Sequence, residues 1–276
     1  MARMDDKVAL VTGGASGLGA EICVLFAEEG ADIVVADVNA ERGAEVVARV
    51  KATGRRAVYT DADVTKGADL EAAVALAESS FGGLNVVVAN AGIGGAASRR
   101  KLEDLTEEQF GEVIDVNLAG VWRTFKYATP ALRRAGGGTM TSTASVAGVS
   151  IMGGSTLGGY TASKHGAVGL TRFAAAELAP DGIRVNCVCP GRMLTNIDES
   201  YHWSDEQLAQ ARGRRGGVEA EGLRTMALPR EVAYVHLFLC SDESSFVTGQ
   251  AIEADGGLNL FMDKSGLVTK TPTDPS

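Results

Sequence analysis

Tyr160 and Lys164 stand one helical turn apart in Tyr160-Thr161-Ala162-Ser163-Lys164, so on a helix they share a face. A free tyrosine has a pKa of about 10, too high for a base near neutrality, and an adjacent ammonium lowers it by stabilising the phenolate. Such a pair is a general acid/base for interconverting a carbonyl and an alcohol. A second group lies near the amino end. Thr12-Gly13-Gly14-Ala15-Ser16-Gly17-Leu18-Gly19 follows the apolar run Val8-Ala9-Leu10-Val11 and precedes a helical pattern. Glycines there allow a sharp turn. They let backbone N–H groups over Gly13, Ser16, Gly17, Leu18 and Gly19 approach a pyrophosphate at a helix N-terminus, where the dipole favours an anion. Asp37 closes the next apolar run, where a carboxylate accepts the hydroxyls of an adenosine ribose and repels a 2′-phosphate. Ala15, Ser16, Val38 and Asn39 offer no basic side chain for such a phosphate. NAD is the expected cofactor, not NADP.

The elements that must carry these groups alternate along the chain. Strands are expected at Val8–Val11, Ile33–Ala36, Ala57–Tyr59, Leu84–Ala89, Thr139–Ser142, Ile183–Cys189 and Ala251–Glu253. Helical patterns separate them, including one with Ile22, Leu25 and Phe26 on one face. Thr106-Glu107-Glu108-Gln109 is a capping-box pattern that opens a long helix past Trp122 and Phe125, which Pro130 is expected to kink or restart. Tyr160 to Ala179 reads as a helix ended by Pro180. Alternating strands and helices of this length imply α/β architecture: a doubly wound parallel sheet with helices on both faces.

Composition excludes several other functions. The 276 residues carry 26 Lys+Arg against 35 Asp+Glu, a formal charge of −9, which argues against binding a nucleic-acid backbone. The longest stretch without a charged residue, Ala135 to Ser163, is filled with Gly, Ser and Thr and makes a poor membrane helix. The start has no apolar targeting segment, so a cytoplasmic protein without a membrane partner is expected. Cys23, Cys187, Cys189 and Cys240 form no C-x-x-C pair and are expected as buried reduced thiols; His165, His202 and His236 have no metal-ligand spacing. No metal site is expected.

Further residues complete a resemblance. Thr12-Gly13-x-x-x-Gly17-x-Gly19, Asp63-Val64, Asn90-Ala91-Gly92, Asn117, Ser145, Tyr160-x-x-x-Lys164, Pro190-Gly191 with Thr195, and Asp255-Gly256-Gly257 occur in this order over about residues 5–260. In this the chain resembles the short-chain dehydrogenases/reductases, which are single-domain Rossmann enzymes. The resemblance implies that Asp63 and Val64, closing the third strand, meet the adenine. It puts Asn90, Ala91 and Gly92 at the cofactor floor, and Asn117, within the long helix, at a water of the proton relay. Pro190, Gly191, Met193 and Thr195 would pass the nicotinamide, with Thr195 and the backbone near Met193 holding its carboxamide. Ser145 would hydrogen-bond the substrate oxygen. Its separation from Tyr160 is slightly longer than the family's usual spacing, and Ser142 is the alternative. Tyr160 and Lys164 would also touch the cofactor, Lys164 through the nicotinamide ribose.

The expected activity is NAD-dependent interconversion of a secondary alcohol and a ketone. A 3-oxoacyl-thioester reductase of the same family and a non-catalytic NAD-binding sensor are the alternatives. Residues 1–262 are expected as one catalytic domain, with 196–228 as a substrate loop or lid and 263–276 as a polar tail. The pocket would draw on Gly94 to Arg100, Val149, Ile151, Met152, Leu157 and the 196–228 segment, a mainly apolar mixture. The family's usual assembly, a homotetramer, would use the helices through Trp122–Phe125 and Tyr160–Ala179.

Overall fold

The structure, a computed structural model, describes residues 2–94, 101–151, 158–194 and 226–261. In chain order the strands are β1 (Val8–Thr12), β2 (Asp32–Asp37), β3 (Ala57–Asp61), β4 (Val86–Ala89), β5 (Gly138–Thr143), β6 (Ile183–Pro190) and β7 (Ala251–Ala254). They form one parallel sheet in the order β3-β2-β1-β4-β5-β6-β7. The principal helices are α1 (Gly17–Glu28), α2 (Ala40–Ala52), α3 (Gly67–Phe81), α4 (Glu107–Ile114), α5 (Gly120–Arg134), α6 (Gly158–Leu178) and α7 (Pro229–Cys240).

Two cores follow from the period of a strand. Successive side chains point to opposite faces, so a strand covered on both sides must be apolar at every position. Val8 and Leu10 of β1 join Val34 and Ala36 on one face, with Ala73 and Ala77 of α3, Phe125 and Leu132 of α5, and Leu178 of α6. Ala9 and Val11 join Ile33 and Val35 on the other, under Ile22, Leu25 and Phe26 of α1 and Val232 and Leu237 of α7. Each fully buried Leu, Ile or Phe contributes about 1.5–3 kcal/mol, so both faces are strongly fixed.

The register aligns the strand ends. Thr12 pairs with Ala36 and Ala89, Ala89 with Ser142, Thr143 with Val188, and Pro190 with Ala254. Strand order reverses direction between β1 and β4, and a crevice opens beyond the carboxyl ends at such a switch point. The residues singled out for chemistry follow these ends.

Two local expectations are corrected, and a third is narrowed, since Pro130 does not restart its helix. The long helix from Thr106 is not uniform: between α4 and α5 it widens into a π-turn, Asp115–Ala119, with Gly120 N–H bonded to the Asp115 carbonyl. Asn117 therefore sits on a π-turn and not on a regular helix. Pro130 lies inside α5, which continues to Arg134. Pro130 is on the exposed side, where water can serve the carbonyl one turn back that its missing N–H leaves free. Finally, β3 stops at Asp61, so Asp63 and Val64 lie beyond the strand end.

Candidate active site

The glycine-rich turn joins β1 to α1. Gly13 has φ +63, and a Cβ on it would lie 2.8 Å from the Ala91 Cα, so only glycine fits between the β1 and β4 ends. A Cβ on Gly19 would fall 2.0 Å from the Gly13 carbonyl oxygen, so helix and turn pack backbone to backbone. The Ser16 side chain makes no cap to α1, and the first turn has no acidic residue. Its backbone donors are thus left for an anion. Asp37 closes β2 beside this turn. One carboxylate oxygen accepts from Ala15 N at 2.9 Å and the other from Asn39 N at 3.0 Å. An uncapped, acid-free helix start beside a fixed carboxylate fits the pyrophosphate and ribose of a dinucleotide.

Asn90 staples the β4 end to this turn. Its Nδ2 donates to Thr12 O at 3.3 Å and Gly13 O at 3.2 Å. The Thr12 hydroxyl accepts from Asn90 N at 3.1 Å and Ala91 N at 3.3 Å. Asp63 accepts from Thr65 N at 2.9 Å and the Thr65 hydroxyl at 2.7 Å, contacts that hold its carboxyl below the usual range. Val64 packs near α5, since a Cβ on Gly120 would fall 2.7 Å from its Cγ2.

Asn117, Ser145, Tyr160 and Lys164 meet beyond β4 and β5. Asn117 Oδ1 accepts from Ile93 N at 2.8 Å, while Nδ2 donates to Ile93 O at 2.9 Å and to the Ser163 hydroxyl at 3.3 Å. Ser163 in turn donates to Tyr160 O at 2.7 Å. These contacts fix the side chain of a residue on a π-turn, a feature found often at functional sites. A Cβ on Gly92 would lie 3.3 Å from Asn117 Oδ1 and 3.5 Å from Lys164 Nζ, which places both groups around one point. Ser145 accepts from Ala147 N at 3.1 Å and faces the Tyr160 phenol, where its hydroxyl draws the phenol pKa down. Ser142 is engaged elsewhere: it shares a 2.9 Å hydrogen bond with Thr171 in the sheet–α6 interior.

The electrostatics differ from the sequence expectation. Lys164 Nζ stands 5.5 Å from the Tyr160 ring centroid, against the ring and not paired with the phenol oxygen. In the protein alone burial raises the Tyr160 pKa, and the Ser145 hydrogen bond draws it only partly back. Lys164 is itself 2% exposed, and burial lowers its pKa to about 8. The expected lowering of the phenol by the ammonium is therefore absent without a cofactor.

On the far side, Gly191 N donates to Ala254 O at 3.1 Å, and a Cβ on Gly191 would meet the Asp255 Cα at 2.9 Å. Pro190 and Gly191 are thus seated on the Asp255-Gly256-Gly257 turn. Met193 bridges to Ala227 in parallel fashion. Thr195 lies outside the described residues, as do residues 95–100, 152–157 and 196–225 of the expected pocket and lid. Thr143 was not singled out by sequence, yet its carbonyl accepts Lys164 Nζ at 2.9 Å. Its only signal was a row of threonines, Thr139, Thr141 and Thr143, where a core strand favours valine.

All four cysteines are buried free thiols. Among the described residues there is no group of His, Cys, Asp or Glu able to hold a metal, and no helix long and apolar enough to cross a membrane.

A family model described as enoyl-(acyl carrier protein) reductase matches residues 13–259. The chain is 39% identical over 254 residues to the cyclohexanol dehydrogenase of Acinetobacter sp. (strain SE19), covering 92% of this chain and 95% of that protein. It is 36% identical over 259 residues to the mitochondrial borneol dehydrogenase of Lavandula x intermedia, covering 94% and 93%. The crystal structure of carveol dehydrogenase from Mycobacterium avium in complex with NAD superposes with a TM-score of 0.82 at 32% identity, covering 94% of this chain and 100% of that one. The chain belongs to the short-chain dehydrogenase/reductase family.

Proposed function

We infer that this protein interconverts a secondary alcohol and a ketone with NAD, and that Tyr160 carries the proton. The observation that carries this reading is the meeting of the Ser145 hydroxyl, the Tyr160 phenol and the buried Lys164 ammonium at the open end of the sheet. When bound, oxidised NAD supplies the hydride acceptor and a positive charge in its nicotinamide ring. The Tyr160 oxygen takes the hydroxyl proton of the alcohol, or returns it to the ketone. Ser145 donates a hydrogen bond to the substrate oxygen, a preorganised contact where charge changes. Lys164 holds the nicotinamide ribose and, with Asn117, passes the proton toward water. The turn over Gly13, Ser16, Gly17, Leu18 and Gly19 receives the pyrophosphate, and Asp37 the adenosine ribose. Asp63 and Val64 border the adenine, Asn90, Ala91 and Gly92 form the floor, and Pro190, Gly191, Met193 and Thr195 pass the nicotinamide.

The substrate class is a mainly apolar, alicyclic alcohol. Support comes from the names of the two relatives, since cyclohexanol and borneol are both cyclic secondary alcohols. Initial rates of NADH formation over a panel of cyclic and open-chain alcohols test the reading. Turnover should be best with the cyclic members; reduction of NAD by none of them would leave the sensor reading.

A homotetramer built on α5 and α6 is part of the same proposal. Trp122 is 46% exposed and Phe173 64% exposed on these helices, apolar surface that a second copy would cover. Sedimentation should give a species well above the 28.5 kDa chain, and a 28.5 kDa species alone would reject the assembly.

A further inference from the structure

A buried histidine links α7 to the nucleotide turn. His236 is fully buried, with Nδ1 2.9 Å from the Thr141 hydroxyl and Nε2 3.3 Å from the Thr143 hydroxyl. Both threonines lie on the face of β5 that meets α7. Burial without a counter-charge lowers the His236 pKa to about 3, so the ring is neutral near pH 7.

The hydrogen-bond directions can be solved from the far end. Asn90 Nδ2 must face Thr12 O and Gly13 O, because two carbonyls accept only from a donor. Asn90 Oδ1 is then an acceptor, and the Thr143 hydroxyl gives it a hydrogen at 3.0 Å. A hydroxyl has one hydrogen, so Thr143 must accept from His236, and Nε2 must carry the ring proton. Nδ1 is then bare and accepts from Thr141. With its hydrogen so spent, Thr141 accepts from the Cys240 thiol at 3.7 Å. Every donor in the line points the same way, from Cys240 through Thr141, His236 and Thr143 to Asn90 and the Gly13 carbonyl.

We propose that His236 is a positioning residue for the dinucleotide turn: as its Nε2–H tautomer it turns the Thr143 hydroxyl onto Asn90, which then clamps Thr12 and Gly13. This rests on the reading of that turn as the NAD site. Without the His236 donor, the Thr143 hydroxyl loses a partner and can turn away from Asn90 Oδ1, leaving that oxygen unpaired and the Asn90 amide held from one side only. The same residue, Thr143, takes Lys164 on its carbonyl, so the line also steadies the strand end beneath the ammonium. Consecutive hydrogen bonds of one polarity reinforce each other, which favours this arrangement over a mixed one.

Two measurements test it. In protein labelled with 15N-histidine and free of cofactor, His236 should give a pyrrole-like Nε2 and a pyridine-like Nδ1 at neutral pH, a signal missing from His236→Leu. Equilibrium titration with NAD should then show about tenfold weaker binding in Thr143→Val, which keeps the shape and the backbone carbonyl. His236→Leu should weaken NAD to a similar degree, and the double variant should be no worse than either single, because both cut one line. If His236→Leu does not fold, the tautomer of the unmodified protein and the NAD affinity of Thr143→Val decide the proposal. An Nδ1–H tautomer, an imidazolium at neutral pH, or unchanged NAD affinity in Thr143→Val would overturn the proposal. Failure of the unmodified protein to bind NAD would overturn the cofactor reading and the positioning role with it. A wrong tautomer beside tight NAD binding overturns the hydrogen-bond line alone.

Discussion

The ammonium of Lys164 donates to the main-chain carbonyl of Thr143 at 2.9 Å, at a site where the lysine is 2% exposed. Burial disfavours the charged form, which is why its pKa falls from 10.5 to about 8. If the ammonium holds the nicotinamide ribose, NAD affinity depends on that charge. Below pH 8 the group is charged and binding is full; above it the charge is lost and binding weakens. A charge-assisted hydrogen bond is worth about 1.5–3 kcal/mol, so a loss of about tenfold or more is expected from pH 7 to well above 8. Lys164→Met should bind NAD weakly at all these pH values. A Kd for the unmodified protein that is flat across this range would contradict the assignment.

Tyr160→Phe removes one oxygen from a half-buried ring and leaves the backbone in place. Turnover should fall by about 10²–10⁴-fold, the usual contribution of general acid–base catalysis, with little change in NAD affinity. Because burial raises the phenol in the protein alone, any lowering must arise in the loaded site. In the oxidative direction kcat/KM should rise with pH as the phenol ionises, with an apparent pKa below the free value of about 10. A variant that keeps half the activity and the same pH profile would put the base elsewhere.

Asp37 holds Ala15 N and Asn39 N on its two carboxylate oxygens, so the carboxylate is fixed in place beside the glycine-rich turn. The unmodified protein should use NAD far better than NADP. Asp37→Ser should narrow that gap by removing repulsion toward a 2′-phosphate. Equal kcat/KM for the two cofactors before mutation would remove the basis of the argument.

The fold was legible because the strands are buried on both faces. Val8–Thr12 is buried at every position, and such a run reads as a parallel strand without further help. The glycine turn was legible for a steric reason, since Gly13 and Gly19 stand where a Cβ would strike backbone. The π-turn was not, because one inserted residue shifts the apolar face by about 100°, a step that the short runs on either side of Asp115–Ala119 are too brief to reveal. Nor was the Tyr160 pKa: spacing brings Lys164 to the same helical face, but only coordinates show the ammonium over the ring and drawn to Thr143. His236 and Thr143 are far apart in sequence, and their pairing depends on how α7 crosses β5.

Asn117 and Ile93 make the last test. The Asn117 amide, on the π-turn, bonds both polar groups of one residue, Ile93 N at 2.8 Å and Ile93 O at 2.9 Å. Removing it leaves two backbone groups to find water, at about 1–3 kcal/mol each where they stay buried. At about 2–4 °C per kcal/mol for a domain of this size class, Asn117→Ala should lower Tm by several degrees. Asn117→Asp separates packing from polarity. It keeps the acceptor for Ile93 N but loses the donor for Ile93 O, and places a carboxylate near Lys164. If Asn117 serves the proton relay, both variants should lose kcat more than NAD affinity, and the aspartate should retain more of the Tm. A full kcat in Asn117→Ala with a lowered Tm would leave the residue as a clamp on Ile93 and nothing more.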